Sequence, residues 1–250
     1  MNHSYSSDLF KGRTVIMTGA GNGIGRATLN AFHMAGATVI AHLGRDERYA
    51  ENLPDDIITF TGDFTHSQDQ ARFVEFVSQQ TERVDTLINN AGTMFGRFSA
   101  DSLTEDQYQN IVELNQSAVV RITRGLLPLL KVAPDASIIN TVSISALTGG
   151  SPGSSIYSAS KAFVSTYSKG LARELAPFNI RVNAVSPGVI HTDFHNRYSS
   201  AEKLETTRKQ IPLQRLGTAE DCAPTFVFLA APALSGYITG QVIEINGGQR

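Results

Sequence analysis

The sequence predicts an α/β fold, a single-domain doubly wound parallel sheet of about seven strands with helices on both faces. Three observations predict it. Short apolar runs alternate regularly with helical stretches, the order that produces a parallel sheet covered on both sides. Runs such as Thr14-Val-Ile-Met-Thr18 are apolar throughout rather than at every second residue, as a doubly buried strand requires. No linker, repeat or composition shift divides the 250 residues, so residues 1–250 read as one domain.

Taken in order, residues 1–10 read as a loose polar lead-in. Thr14–Thr18 is the first strand and runs into a glycine cluster. Residues 25–35 have helical character and stop at Gly36, a suitable C-terminal glycine. Second and third strands fall at 38–43 and 57–61. Residues 69–81 carry Phe73, Val74, Phe76 and Val77 at helical spacing, and 84–88 form a fourth strand. Residues 104–130 read as one long helix with a bend expected near Pro128. A fifth strand at 137–142, a helix over Ser155–Leu175 and a sixth strand at 180–185 follow. A late helix at 219–229 and a strand at Val242–Ile245 close the sheet.

Composition narrows the function classes. A net charge of −2 and a pI near 6.3 supply no basic field for nucleic acid or an anionic membrane. A single cysteine, Cys222, excludes an intrachain disulfide framework and a Cys-based zinc site. The first residues lack the apolar core of a signal peptide, and no run of about 18 apolar residues could span a membrane. A cytoplasmic location is the expectation.

Chemistry concentrates in three stretches. Thr18-Gly-Ala-Gly-Asn-Gly-Ile-Gly25 joins the first strand to the first helix. It fits G-x-x-x-G-x-G through Gly19, Gly23 and Gly25, not G-x-G-x-x-G, but the physics is shared. Glycines turn tightly and let backbone amides and a helix N-terminus approach a pyrophosphate. Asn89-Asn-Ala-Gly92 follows the fourth strand, at the sheet end where ligands bind in such folds. Tyr157 and Lys161 lie one helical turn apart on one face. A free phenol titrates near ~10; an ammonium ~4 Å away at an effective dielectric of ~20 is worth about 4 kcal/mol, enough to bring it toward neutrality. Such a pair suits general acid/base work, although an isolated Y-x-x-x-K is more often an ordinary helix surface.

In order and spacing, these motifs resemble the short-chain dehydrogenase/reductase family. The match adds Asn115 in the long helix, Ser143 after the fifth strand, Pro187-Gly188, and Tyr237-Ile-Thr-Gly-Gln-Val-Ile-Glu-Ile-Asn-Gly-Gly near the C-terminus. The resemblance covers nearly the whole chain and implies a Rossmann-type fold and NAD(P)-dependent hydride transfer between a carbonyl and a secondary alcohol. It implies Tyr157 as general acid or base, with Lys161 lowering its pKa and bonding the nicotinamide ribose. Ser143 would polarise the substrate oxygen, with Ser145 as a local rival, and Asn115 would support Lys161 through an ordered water. Gly19, Asn22, Gly23, Ile24 and Gly25, then Phe64, Asn89, Ala91 and Gly92, would contact the cofactor. So would Pro187 and Gly188, with Val189 and Thr192 against the carboxamide. Asp63 matches a contact to the adenine amino group, or else caps a turn.

Cofactor choice falls at the end of the second strand, where a carboxylate selects NAD and an arginine NADP. The acidic position is Leu43, and Arg45 lies two residues on, which favours NADP; Asn22 in place of a basic residue and the adjacent Asp46 point toward NAD. Residues 190–216 should cover the substrate. The pattern is similar to 3-oxoacyl-carrier-protein reductases and to sugar or polyol dehydrogenases. Arg173, Arg121 and Arg124 could dock an acidic carrier protein, but Val132-Ala-Pro-Asp-Ala-Ser137 lacks the basic residues usual there. A small polar carbonyl, sugar or polyol, or a 3-oxoacyl thioester, is the substrate expectation. His191 and His195 lack a third ligand, so no metal is expected. Family members usually form homo-oligomers, most often tetramers. The competing class is a cofactor-binding sensor or scaffold without turnover.

Overall fold

A computed structural model describes residues 6–249. Seven parallel strands form one sheet in the order β3-β2-β1-β4-β5-β6-β7. They are β1 (Thr14–Thr18), β2 (Thr38–His42), β3 (Ile58–Phe60), β4 (Thr86–Asn89), β5 (Ser137–Thr141), β6 (Arg181–Pro187) and β7 (Val242–Ile245). β4, β5 and β6 are buried along their whole length, because helices cover both faces. Helices α1 (Gly23–Met34) and α9 (Ala219–Ala230) pack on each other over one face; α2 (Ser67–Gln80), α4 (Ala118–Leu130) and α6 (Ser155–Leu175) cover the other. From β1 the chain winds outward through β2 and β3, and from β4 it winds the opposite way. The carboxyl ends of β1 and β4 therefore flank a crevice at the point of reversal.

Two expectations are corrected. The lead-in over 1–10 is not loose where it is described. Phe10 is fully buried, its N–H donates to the Ala35 carbonyl at 2.8 Å, and its ring meets Phe32 edge-on at 4.9 Å. Burying a phenylalanine contributes about 2 kcal/mol, enough to hold the segment down. Residues 1–5 lie outside the described residues.

The helix expected over 104–130 is interrupted. α3 (Glu105–Val112), closed by a Thr104/Gln107 capping box, gives way to a π turn over Glu113–Ser117 before α4 begins. The amide of Ala118 reaches back five residues to the Glu113 carbonyl, and Asn115 Nδ2 donates to the Ile111 carbonyl at 2.8 Å. The break falls at Asn115, whereas Pro128 sits in the last turn of α4. Beyond β6 the chain forms α7 (Asp193–Tyr198) and α8 (Ala201–Gln210), and α5 (Ser145–Thr148) and α10 (Pro232–Ser235) are single turns.

Candidate active site

The crevice opens into a cleft of about 940 Å³, lined from the β1–α1 glycine loop at one end to α6 and α7 at the other. At the first end the sequence folds as a cradle. Gly19 has φ +67°, and a Cβ there would stand 2.6 Å from Ala91 Cα; one on Gly25 would collide with the Gly19 carbonyl oxygen. Thr18 Oγ1 accepts from the amides of Asn90 and Ala91 at 3.0 and 3.1 Å, and Asn90 Nδ2 donates to the Gly19 carbonyl at 2.9 Å. The glycine loop and the turn after β4 are thereby one unit at the N-terminus of α1. Such an end suits a pyrophosphate.

Gly19, Asn22, Gly23, Ile24 and Gly25 line this end, with Arg45, Asp63, Phe64, Ala91, Gly92, Pro187, Gly188 and Thr192. Arg45 forms an exposed ion pair with Asp63 at 3.4 Å. Asp63 also caps its own turn, accepting from the Thr65 amide and hydroxyl at 2.9 and 2.7 Å, so it stands both in the turn and on the cleft. Asn22 Nδ2 donates to the Tyr49 hydroxyl at 2.9 Å, placing a tyrosine over the loop that the sequence did not single out.

Two expected contacts are turned away from the cleft. The Asn89 side chain points into the core, where Nδ2 donates to Thr123 Oγ1 at 3.0 Å and Asn140 Oδ1 at 2.9 Å. Its neighbour Asn90 faces the cleft instead. Val189 lines a smaller cavity on the far side, and Ile190 takes the cleft position. Both are displacements by one residue along extended chain, which carries a side chain to the opposite face.

At the other end Ser143, Tyr157 and Lys161 meet. Ser143 and Tyr157 line the cleft together, and Ser145 donates its amide and hydroxyl to Ser143 Oγ at 3.2 and 3.0 Å. The rivalry between the two serines is thus a relay: Ser145 holds Ser143. Lys161 Nζ donates to the Thr141 carbonyl at 2.9 Å. Asn115 is fully buried, and its Nδ2 also donates to the Thr93 carbonyl at 2.8 Å. Asn115 Oδ1 has no partner among the described residues and stands with Lys161 Nζ against the Cα of Gly92.

Burial pushes the Tyr157 phenol up to about 12 against the lowering effect of Ser143, while burial brings Lys161 down to about 8. The ammonium is 5.8 Å from the centre of the ring and gives one of its three hydrogens to the Thr141 carbonyl. Over the pair, α7 brings the Phe194 ring to 5.9 Å from Tyr157, and the Tyr198 hydroxyl lies 3.0 Å from Thr93 Oγ1. Of residues 190–216, Ile190, Thr192, Asp193, Phe194 and Arg197 line the cleft. The side chain of His195 lies outside the described residues.

A parallel sheet whose reversal point carries a glycine cradle at one end and a serine, tyrosine and lysine at the other defines a nicotinamide-dependent oxidoreductase. A family model described as "Enoyl-(Acyl carrier protein) reductase" matches residues 19–250. The chain is 37% identical over 248 residues to 3-oxoacyl-[acyl-carrier-protein] reductase FabG of Thermotoga maritima, covering 95% of this chain and 98% of that protein. Among solved structures, a short-chain glucose/ribitol dehydrogenase from Brucella melitensis superposes with a TM-score of 0.88 at 29% identity, covering 97% of this chain and 98% of that one. A 3-ketoacyl-(acyl-carrier-protein) reductase from the same organism, complexed with NADH, gives 0.86 at 30%, covering 95% and 98%. The chain belongs to the short-chain dehydrogenase/reductase family and is an enzyme acting on CH–OH or carbonyl groups with NAD or NADP. Among the described residues no helix is long and apolar enough to cross a membrane.

Proposed function

We propose that this protein reduces a carbonyl to a secondary alcohol with Tyr157 as the proton donor. The observation that carries the reading is that Ser143, Tyr157 and Lys161 line the same cleft as the glycine cradle. The cradle fits a dinucleotide: backbone fills the space a Cβ would take at Gly19 and Gly25, and the loop so packed borders the cleft at the N-terminus of α1. When bound, the cofactor supplies the hydride. Ser143 holds and polarises the carbonyl oxygen as negative charge develops there. Tyr157, which keeps its proton across the neutral range, donates it to that oxygen. Lys161 Nζ and Asn115 Oδ1, both beside Gly92, would resupply the proton through an ordered water. Reduction is the direction such a phenol favours near neutrality.

NADP is the preferred cofactor in this reading, because Arg45 lines the cleft just past the end of β2, would supply a cation to a 2′-phosphate, and is held only by a weak exposed pair with Asp63. The substrate is a small polar carbonyl, a sugar or polyol, or a 3-oxoacyl thioester. Aromatic walls at Phe194 and Phe95 with polar Thr93 and Ser143 suit any of these. A homo-oligomer, a tetramer by family habit, is supported by the exposed Phe163, stacked on Tyr167 along α6. The buried free thiol of Cys222 suits the cytoplasm. The test is a screen of purified protein with NADPH and NADH against ketones, keto sugars and 3-oxoacyl thioesters, with light scattering for mass. Cofactor binding without turnover of any of them would favour the sensor or scaffold reading, and a monomeric mass would refute the oligomer.

A further inference from the structure

His42 ends β2 and is 2% exposed, wedged between the two loops that form the dinucleotide end of the cleft. Both ring nitrogens are occupied. Nδ1 accepts the N–H of Gly19 at 3.3 Å, and Nε2 lies 3.0 Å from the Gly62 carbonyl, to which it can only donate. The His42 carbonyl takes the next amide of the glycine loop, that of Ala20, at 2.8 Å. The ring also stacks on Phe64 at 3.6 Å and 14°, with Phe60 and Phe73 around it at 6.3 and 5.9 Å. Gly19 is therefore gripped at both ends of its backbone: its N–H by His42 and its carbonyl by Asn90.

One protonation state satisfies these bonds, the neutral ring with hydrogen on Nε2. A second hydrogen on Nδ1 would face the Gly19 N–H donor to donor. Burial holds the ring neutral, with a pKa near 4. The charged groups that face it are Asp63, in the β3–α2 connection, and Asp69, in the first turn of α2; both favour the proton and are outweighed by burial.

We propose that His42 is a positioning residue for the nicotinamide dinucleotide, its neutral imidazole bracing the glycine loop against the Gly62–Phe64 wall. The two halves of the binding surface are then set before the ligand arrives, and less ordering is left for binding to offset. This rests on the reading of the cleft as the cofactor site. It assigns affinity, not proton transfer, to a residue that touches none of the reacting atoms.

The test titrates NADPH and NADH into the wild type and into H42N, H42Q and H42A, following cofactor fluorescence, with thermal melting alongside. Asparagine places Oδ1 where Nδ1 stands and keeps the Gly19 bond; glutamine reaches toward Gly62 and loses it. We expect H42N within about threefold of the wild type and H42Q and H42A weaker by about tenfold, the worth of one hydrogen bond. In turnover, the loss falls on KM for the cofactor rather than on kcat. Folded H42Q and H42A that bind as tightly as the wild type would overturn the inference, as would H42N as weak as H42A. If H42A alone fails to fold, the H42N–H42Q comparison decides; if H42Q fails too, the role is structural and the inference falls. A wild type that binds neither cofactor overturns the reading of the cleft, and this inference with it.

Discussion

In the proposed reaction Tyr157 is the proton donor, and its environment sets the protonation state in which it works. A half-buried phenol pushed up to about 12 by its surroundings is a donor at neutral pH. Replacing it by phenylalanine removes the proton but leaves the ring against Phe194, so kcat for reduction should fall about 10³-fold with cofactor affinity little changed. Ser143→Ala should cost about 10²-fold, the usual worth of one oxyanion donor. Undiminished turnover in Y157F would sink the mechanism. Lys161, brought down to about 8, is charged below that pH and neutral above it, so the reduction rate should be level up to about pH 8 and fall beyond. A pH–rate profile flat to pH 10 would remove Lys161 from the proton path. At this scale the sequence showed which motifs matter, but not which neighbour in each faces the cleft. Asn89 against Asn90 and Val189 against Ile190 differ by one position on extended chain, and only the register of β4 and β6 with their partners settles the side. Spacing likewise placed Lys161 near Tyr157, but it could not show the Thr141 carbonyl that takes one hydrogen of the ammonium.

Among the elements, the π turn at Glu113–Ser117 matters most to the site. It turns Asn115 inward, so that one amide group satisfies the Ile111 and Thr93 carbonyls and leaves Oδ1 beside Lys161 and Gly92. Asn115→Leu strands both carbonyls in the core; urea unfolding should show a loss of about 2 kcal/mol or more, together with lost activity. An unchanged unfolding midpoint would mean that the side chain does not hold the turn. This break was hidden from sequence reading because the apolar period runs through it, and a π turn adds a residue without a glycine or proline to mark it. Pro128, the visible breaker, sits harmlessly in a last turn. The glycine loop was legible for the opposite reason: Gly19, Gly21 and Gly25 answer a close approach of backbone, and Gly23 a φ of +50°. Gly25→Ala, driving Cβ into the Gly19 carbonyl, should weaken cofactor binding at least tenfold by fluorescence titration, and unaltered binding would show that the loop can yield.

For the whole molecule, the alternation of apolar runs with helices was enough to place the sheet, its seven strands and the ligand crevice, since a doubly wound chain has one point of reversal. What alternation does not reveal is long-range polar wiring, and His42 is the consequence for stability. Its imidazole titrates near 6.5 when unfolded and near 4 in the fold. Above about pH 6.5 both states are neutral and the buried ring costs nothing in protons. Between 6.5 and 4 the unfolded chain binds the proton first, so stability falls with falling pH. At pH 4.5 the loss is about 2–3 kcal/mol, a large share of the ~5–15 kcal/mol that holds a domain together. Asp221, drawn down to about 2 by Arg215, loses its contribution only below about pH 4, so it does not mask the window. Urea unfolding at pH 7, 5.5 and 4.5 should show the decline in the wild type and a flatter line in His42→Asn, which has no proton to take up. Parallel lines would assign the acid sensitivity to other groups.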